Sequence, residues 1–164
     1  MPTTDPVLDA FLTVSNELFD ALDGVLTDCG DEFVNAVPEG VPGINSVYAL
    51  AIHIAGAIGF WGGSFVSGET IPRDRDAEFR ATGSVAQAQA VLAYTRKKLP
   101  GWAAIARTEG IRNRAATGTT RLDAASVSPE FVLTHILREL AQHVGHAQIC
   151  RDVVLAADSS KQRH

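Results

Sequence analysis

The sequence contains little sulfur and no excess of positive charge. Its 164 residues include two cysteines and one methionine, and the formal net charge is −5 at pH 7. Two cysteines, Cys29 and Cys150, are too few for a disulfide framework, and we predict that both are small buried hydrophobic residues. A nucleic-acid-binding protein needs a basic surface that displaces counterions from phosphates. The acidic balance therefore excludes nucleic acid as a predicted partner.

Long uninterrupted apolar runs are also absent from the sequence. No run reaches the roughly 18 residues that a membrane-spanning helix needs without a polar interruption. The N-terminal residues, Met-Pro-Thr-Thr-Asp, lack the basic and apolar regions of a signal peptide. We therefore expect no membrane partner and a cytoplasmic location. With 46% hydrophobic residues, the chain is long enough and apolar enough to fold as one domain with a substantial core.

Four long helices are predicted from capping residues and apolar periodicity. Each start has a side chain that can cap a helix, followed in two cases by a proline at the first helical position. The expected starts are Asp5-Pro6, Asn45 or Ser46, Ser84, and Ser128-Pro129. Apolar residues then recur at three- and four-residue intervals, which is typical of amphipathic helices. The second helix is apolar on nearly all sides, which predicts a buried position.

The ends of these helices are predicted from glycine and proline. The expected ends are Gly30, Ser67 before Gly68, about Thr108 and about Ala156. Pro100-Gly101 is expected to kink or break the third helix before its final turns. The charged segment 72–79 between the second and third helices is predicted to be a loop.

The predicted fold is all-α, because strand signals are weak throughout the chain. Four long amphipathic helices joined by long connecting loops indicate a four-helix bundle. Residues 1–157 are expected to form a single domain, and residues 158–164 a frayed C-terminal tail. Connections of about 15–20 residues favour a topology more complex than simple up-down-up-down, and they supply loops that can cover one end of the bundle.

A carboxylate and an imidazole on the last helix suggest a metal site. Glu139 and His143 are four residues apart, so they lie one turn apart on the same helical face. A carboxylate and an imidazole at that spacing can bind one divalent ion, and His53 on the second helix is a third candidate ligand. Two alternatives need no metal: a solvated polar stripe, or a hydrogen-bonded network of glutamate and histidine side chains.

Two further histidines lie on the same helix. His146 follows His143 by three residues, so it is either a fourth ligand or a neighbour that orients a ligand or shuttles a proton. His135 lies two turns from His143, about 12 Å along the helix axis. That separation is too long for a shared metal ion, so His135 is predicted to line a pocket or to lie at the end of the bundle.

The charged loop offers candidate substrate contacts. Arg73 and Arg75 alternate with Asp74 and Asp76, and Glu78 follows. One interpretation is a solvated loop with local ion pairs, which stabilise a protein little. The other is that Arg73 or Arg75 binds an anionic group of a substrate.

Several of these segments resemble the DinB/YfiT-like superfamily of bacterial metal-binding four-helix bundles. The segments are Asn45 to His53 with Trp61 downstream, Pro72 to Phe79, His135 to Gly145, and Arg151-Asp152. They occur in the expected order across nearly the whole chain. The similarity is greatest to the actinobacterial branch that includes mycothiol-dependent enzymes.

The resemblance implies a particular ligand set. A histidine of the second helix and two ligands four residues apart on the last helix bind a divalent metal in this superfamily, which points to His53, Glu139 and His143. Zinc is the expected ion, with nickel or iron as alternatives that the ligand types also suit. Many members carry glutamine where this chain has His146, and that departure keeps a fourth protein ligand open. Trp61 is expected to contact substrate.

The resemblance also implies a function. The first hypothesis is a metal-dependent transferase or isomerase that activates a low-molecular-weight thiol, such as mycothiol, towards an electrophilic substrate. A metal-dependent hydrolase and a non-catalytic metal-binding or stress-related bundle are the alternatives, together with a degenerate bundle that binds no metal. Related bundles often dimerise, so a homodimer is a further prediction.

Overall fold

The computed structural model describes residues 5–161, and within that range the chain is helical with no β-strand. Four long helical elements form a bundle, as the sequence predicts. The elements are α1 (Pro6–Phe33), α2 (Val47–Ile58) with a π-helical continuation (Gly59–Ser67), the short α3 (Arg75–Glu78), α4 (Val85–Thr108), a 3₁₀ turn (Ala124–Ser126) and α5 (Pro129–Lys161). In the bundle, α1 and α2 each pack mainly against α4 and α5.

The predicted helix starts are confirmed by capping hydrogen bonds. Asp5 accepts from the backbone of α1, and Ser46 accepts from Ala49 N at the start of α2. Ser84 and Gln87 form a reciprocal capping box at the start of α4. At the start of α5, Phe131 N donates to Ser128 Oγ over 3.1 Å. Side-chain acceptors thus satisfy amide groups that have no partner within the helix.

Several helix ends differ from the expected ones. Helix α1 passes through Gly30, which adopts φ 59° and ψ 177° and kinks the helix, and it ends at Phe33. Pro100 lies inside α4 and does not end it. Helix α5 continues to Lys161, so the end expected near Ala156 is too early, and residues 158–161 are helical rather than frayed. The last three residues of the predicted tail lie outside the described range.

The second long element differs from the expected regular α-helix. Its last nine residues, Gly59–Ser67, form a π-helix that the periodicity did not indicate, and Gly68 ends it with φ 77°. The 21-residue span Val47–Ser67 is long and apolar enough by composition to cross a membrane, although His53 interrupts its apolar run. However, 89% of its most apolar window is buried against the rest of the protein. That burial is typical of the central helix of a packed core.

The core contains both cysteines and most large apolar side chains. Cys29 and Cys150 are buried and free, as predicted. Burial raises the pKa of both thiols, so the neutral thiol is favoured in each case. Trp102 of α4 packs against the π-helix and donates from Nε1 to Glu69 Oε1 over 2.8 Å.

The close approach of α4 to the π-helix requires a glycine at position 62. A Cβ atom there would lie 2.6 Å from Trp102 Cε3, inside the van der Waals contact distance. We expect Gly62→Ala to lower the free energy of unfolding by about 1–3 kcal/mol, because the buried indole must move. Gly24 of α1 has open space around its Cβ position, so Gly24→Ala should stabilise the protein by about 0.5–1 kcal/mol. Urea denaturation of both variants tests this difference, and equal effects would contradict it.

Candidate metal centre

Three side chains from two helices converge within the bundle. His53 lies on α2, and Glu139 and His143 lie one turn apart on α5, which packs beside α2. One ligand atom from each side chain lies within 4.8 Å of those of the other two. The rings of His53 and His143 meet edge to face with centroids 4.6 Å apart. The fold therefore assembles the group from residues that lie more than 80 positions apart in the chain.

His53 is oriented by a glutamate that the sequence analysis did not assign to the site. Its Nδ1 lies 2.8 Å from Glu78 Oε2, and both side chains are buried. Burial raises the pKa of Glu78, but hydrogen bonds from His53 and Arg73 outweigh it, so the pKa is lowered overall. An ionised carboxylate can only accept, so His53 donates from Nδ1. In the neutral ring the Nε2 lone pair is then available to an ion, which is the usual arrangement of a metal-binding histidine.

Arg73 holds Glu78 in place. Its Nε donates to Glu78 Oε1 over 2.8 Å, and its Nη2 donates to Oε2 over 3.1 Å. The third nitrogen, Nη1, donates to the carbonyl oxygen of Gly118 over 2.8 Å. Its side chain is only 6% exposed. Arg73 therefore forms a local ion pair, but this pair is buried rather than solvated.

The expected loop at 72–79 is partly helical, and this explains why Glu78 was missed. Asp74 accepts from Ala77 N and caps α3, the one-turn helix that ends at Glu78. In an exposed loop, a glutamate at this position would be solvated. Here α3 packs on α2 and turns the carboxylate inwards. The Asp-x-x-Ala-Glu spacing is a local capping signal, but the contact with His53 is long-range and has no counterpart in the local pattern.

Glu139 lies between two histidines and an arginine. Its Oε2 is 3.6 Å from His143 Nε2, and its Oε1 is 3.7 Å from His135 Nε2 and 3.2 Å from Arg138 Nη2. The nearby His143 lowers the pKa of Glu139 most, burial opposes this, and Arg138 lowers the pKa further, giving about 2. Glu139 is therefore a carboxylate at any physiological pH.

The two remaining helix histidines take different positions. His146 stacks beside His143 with ring centroids 6.3 Å apart, and it is not part of the group whose ligand atoms lie within 4.8 Å of one another. Burial, and then the neighbouring His143, lower its pKa. His135 stacks on Phe131 and meets the Trp61 ring edge to face at 4.8 Å. Burial lowers its pKa as well, so both histidines favour the neutral form.

A cavity of about 430 Å³ opens beside the three converging side chains. His53, Glu139 and His143 contribute to its lining, as do all four residues expected to contact substrate, Trp61, Arg73, Arg75 and His135. The other polar lining residues were not expected from the sequence: they are Thr119, Thr120, Arg121, Arg138 and Gln142. Three of these belong to the connection before α5, whose position against the bundle could not be predicted from local patterns.

The fold and the site define a helical bundle with two imidazoles and one carboxylate beside a polar cavity. The family model for mycothiol S-transferase matches residues 10–155. The chain therefore belongs to the mycothiol S-transferase family, which confirms the resemblance to the DinB/YfiT-like superfamily and its mycothiol branch. A search of curated proteins found no match, and a search of solved structures found none either.

The Glu139 carboxyl should titrate at about pH 2 in the metal-free protein, compared with an ordinary value of 4.5. Because the folded-state pKa lies below the unfolded one, ionised Glu139 contributes stability that is fully present above about pH 4.5. That contribution is lost as the pH falls through about 2. Carboxyl carbon NMR, with Glu139→Gln to assign the resonance, measures the midpoint. A midpoint at or above 4.5 would show that His143 and Arg138 do not stabilise the carboxylate.

Proposed function

We propose that this protein is a divalent-metal-dependent transferase that joins the sulfur of mycothiol to an electrophilic small molecule. The observation that carries the proposal is the convergence of His53, Glu139 and His143 beside a cavity, in a chain of the mycothiol S-transferase family. A zinc ion is the metal that we propose first, with nickel or iron(II) as alternatives of suitable ligand preference.

The residues present suit such an ion. Two imidazoles and one carboxylate are a common catalytic donor set, and three protein ligands leave a further position for a small molecule. The contact from Glu78 to His53 Nδ1 supports metal binding, because in the neutral imidazole it places the proton on Nδ1 and the lone pair on Nε2. When bound, a divalent metal would favour the thiolate form of a thiol sulfur.

The proposed reaction is a nucleophilic substitution at carbon. The thiolate sulfur forms a bond to the electrophilic carbon, the leaving group departs with its bonding electrons, and the thiol proton passes to water. Trp61 and His135 would exclude water from one wall of the cavity. Arg75, Arg121 and Arg138 on the other walls would bind polar or anionic parts of the two substrates. No cysteine of the protein takes part, in keeping with the burial of both thiols.

His146 has a supporting role in this proposal. It does not line the cavity and it contacts the His143 ring, so we assign it to holding that ring rather than to binding the ion. A closed site with four protein ligands would instead favour the non-catalytic bundle. A hydrolase would need a base beside a bound water, and His146 was the candidate for that role. The homodimer and the cytoplasmic location stay predictions.

Metal content tests the ligand set directly. The purified, untagged protein incubated with zinc and then dialysed should contain about one ion per chain by elemental mass spectrometry. His53→Ala should lose that ion, because only Glu139 and His143 would remain of the three ligands. His146→Ala should retain it. No metal in the wild-type protein after incubation with zinc, nickel or iron(II), or a loss in both variants, would contradict the proposed site.

Thioether formation tests the transferase proposal. A free thiol of pKa about 8.5 is only about 3% ionised at pH 7, so full ionisation raises the thiolate concentration about 30-fold. The zinc-loaded protein should therefore accelerate the reaction of mycothiol with monobromobimane, and His53→Ala should lower the rate at least about 30-fold. Asp20→Asn, which alters only an exposed ion pair with Arg96, is the control. A zinc-loaded protein without activity towards several electrophiles would contradict the proposal and favour a non-catalytic bundle.

A further inference from the structure

We infer that Arg73 is a positioning residue that holds two parts of the site at once: the proposed metal ligand His53, and the loop at Gly118 that leads into the cavity wall at residues 119–121. The inference rests on the proposed function for its catalytic consequence. Its structural basis is independent of any reaction, because it consists of three hydrogen bonds from one buried guanidinium.

The first part runs from Arg73 through Glu78 to His53. Two guanidinium nitrogens contact the two carboxylate oxygens of Glu78, and Glu78 Oε2 contacts His53 Nδ1. A paired contact of this kind fixes the carboxylate plane as well as its distance. Once that plane is fixed, the His53 ring has one preferred orientation, in which Nδ1 donates to Glu78. Phe79 stacks on the His53 ring, with the two ring centroids 4.4 Å apart.

Gly56 provides the space for this carboxylate. It lies three residues after His53 on α2, on the side facing α3, and a Cβ atom there would lie 2.0 Å from Glu78 Oε1. Any other residue at position 56 would therefore displace the Glu78 side chain. Glu78 can therefore contact His53 Nδ1 only if residue 56 has no side chain.

The second part runs from Arg73 to the connection before α5. Arg73 Nη1 donates to the carbonyl oxygen of Gly118, which directly precedes Thr119, Thr120 and Arg121 of the cavity wall. Gly118 adopts φ 136°, and a Cβ atom there would lie 2.9 Å from Phe60 Cδ2. The close approach of this loop to the core therefore also depends on a glycine. The hydrogen bond from Arg73 ties that loop to the same guanidinium that orients Glu78.

Lysine cannot replace Arg73 in this arrangement. A guanidinium presents donors in a rigid planar fork, whereas an ammonium is a single point charge. Arg73→Lys would keep the positive charge near Glu78 but would lose both the paired contact and the bond to Gly118. The substitution should therefore affect both metal affinity and substrate binding, while Gly56→Ala should affect mainly metal affinity.

The test compares Gly56→Ala and Arg73→Lys with a control variant, Gly145→Ala. Position 145 lies on α5 near the site, and a Cβ atom there would meet open space. Zinc affinity is measured by competition with a chromophoric chelator, after circular dichroism shows that each variant is folded. We expect Gly56→Ala and Arg73→Lys to weaken zinc binding about 10- to 100-fold, the usual effect of losing the partner of a ligating histidine. Gly145→Ala should match the wild type. Unchanged zinc affinity in both site variants would overturn the inference.

Two further measurements separate this inference from the proposed function. In the metal-free protein, the His53 Nδ1 proton should give a slowly exchanging NMR signal, and Gly56→Ala should abolish it. This signal does not depend on catalysis, so its absence from the wild type would overturn the inference even if the enzyme were active.

In the transferase assay, Arg73→Lys should raise KM for mycothiol or for the electrophile at saturating zinc, whereas Gly56→Ala at saturating zinc should leave KM near the wild-type value. Equal KM values in Arg73→Lys and wild type would show that the bond from Arg73 to Gly118 does not contribute to substrate binding.

Discussion

A buried ion pair at the edge of the bundle determines the geometry of the site. Arg73 and Glu78 are almost fully enclosed, with 6% and 8% of their side chains exposed. Removing two charges from water is unfavourable unless their hydrogen-bonding groups are satisfied, and here nearly every polar atom of the pair has a partner. Two of those partners are His53 and the Gly118 carbonyl. The interactions that compensate for burial are thus the same ones that orient a ligand and position a loop.

Glycine makes these close contacts geometrically allowed. Gly56 leaves room for the Glu78 carboxylate, and Gly62 and Gly63 leave room for Trp102 against the π-helix. The sequence analysis did not predict the π-helix, although π-helical turns are frequent at functional sites. Trp61 lies in that segment and lines the cavity beside His135. The glycine-rich second helix therefore serves both the packing of the core and the shape of the cavity.

Local signals predicted the helix starts and the ligand spacing, because both depend on residues within one or two turns. Asp5, Ser46, Ser84 and Ser128 all accept hydrogen bonds from the helices that they precede. Glu139 and His143 share a face for the same local reason. Their approach to His53 was only a hypothesis from the sequence, since it depends on the packing of α2 against α5.

The features that the sequence analysis missed are long-range. Glu78 contacts His53 across 25 positions, and Arg73 contacts Gly118 across 45. The cavity wall at residues 119–121 belongs to the connection before α5, and the bond from Arg73 to Gly118 helps to place that connection. The continuation of α5 to Lys161 was not predicted for a different reason, since the C-terminal residues carry weak apolar periodicity.

Membership of the mycothiol S-transferase family and the geometry of the site lead to one central claim. Three protein ligands hold a metal ion and leave one of its coordination positions open for the thiol sulfur. X-ray absorption spectroscopy of the zinc-loaded protein, before and after addition of mycothiol, tests this claim most directly. The proposed site predicts two imidazoles and one carboxylate as protein ligands, and a new zinc–sulfur distance of about 2.3 Å after the thiol is added. Four protein ligands including a third imidazole, with no sulfur contribution after the addition, would contradict it and indicate a closed structural site.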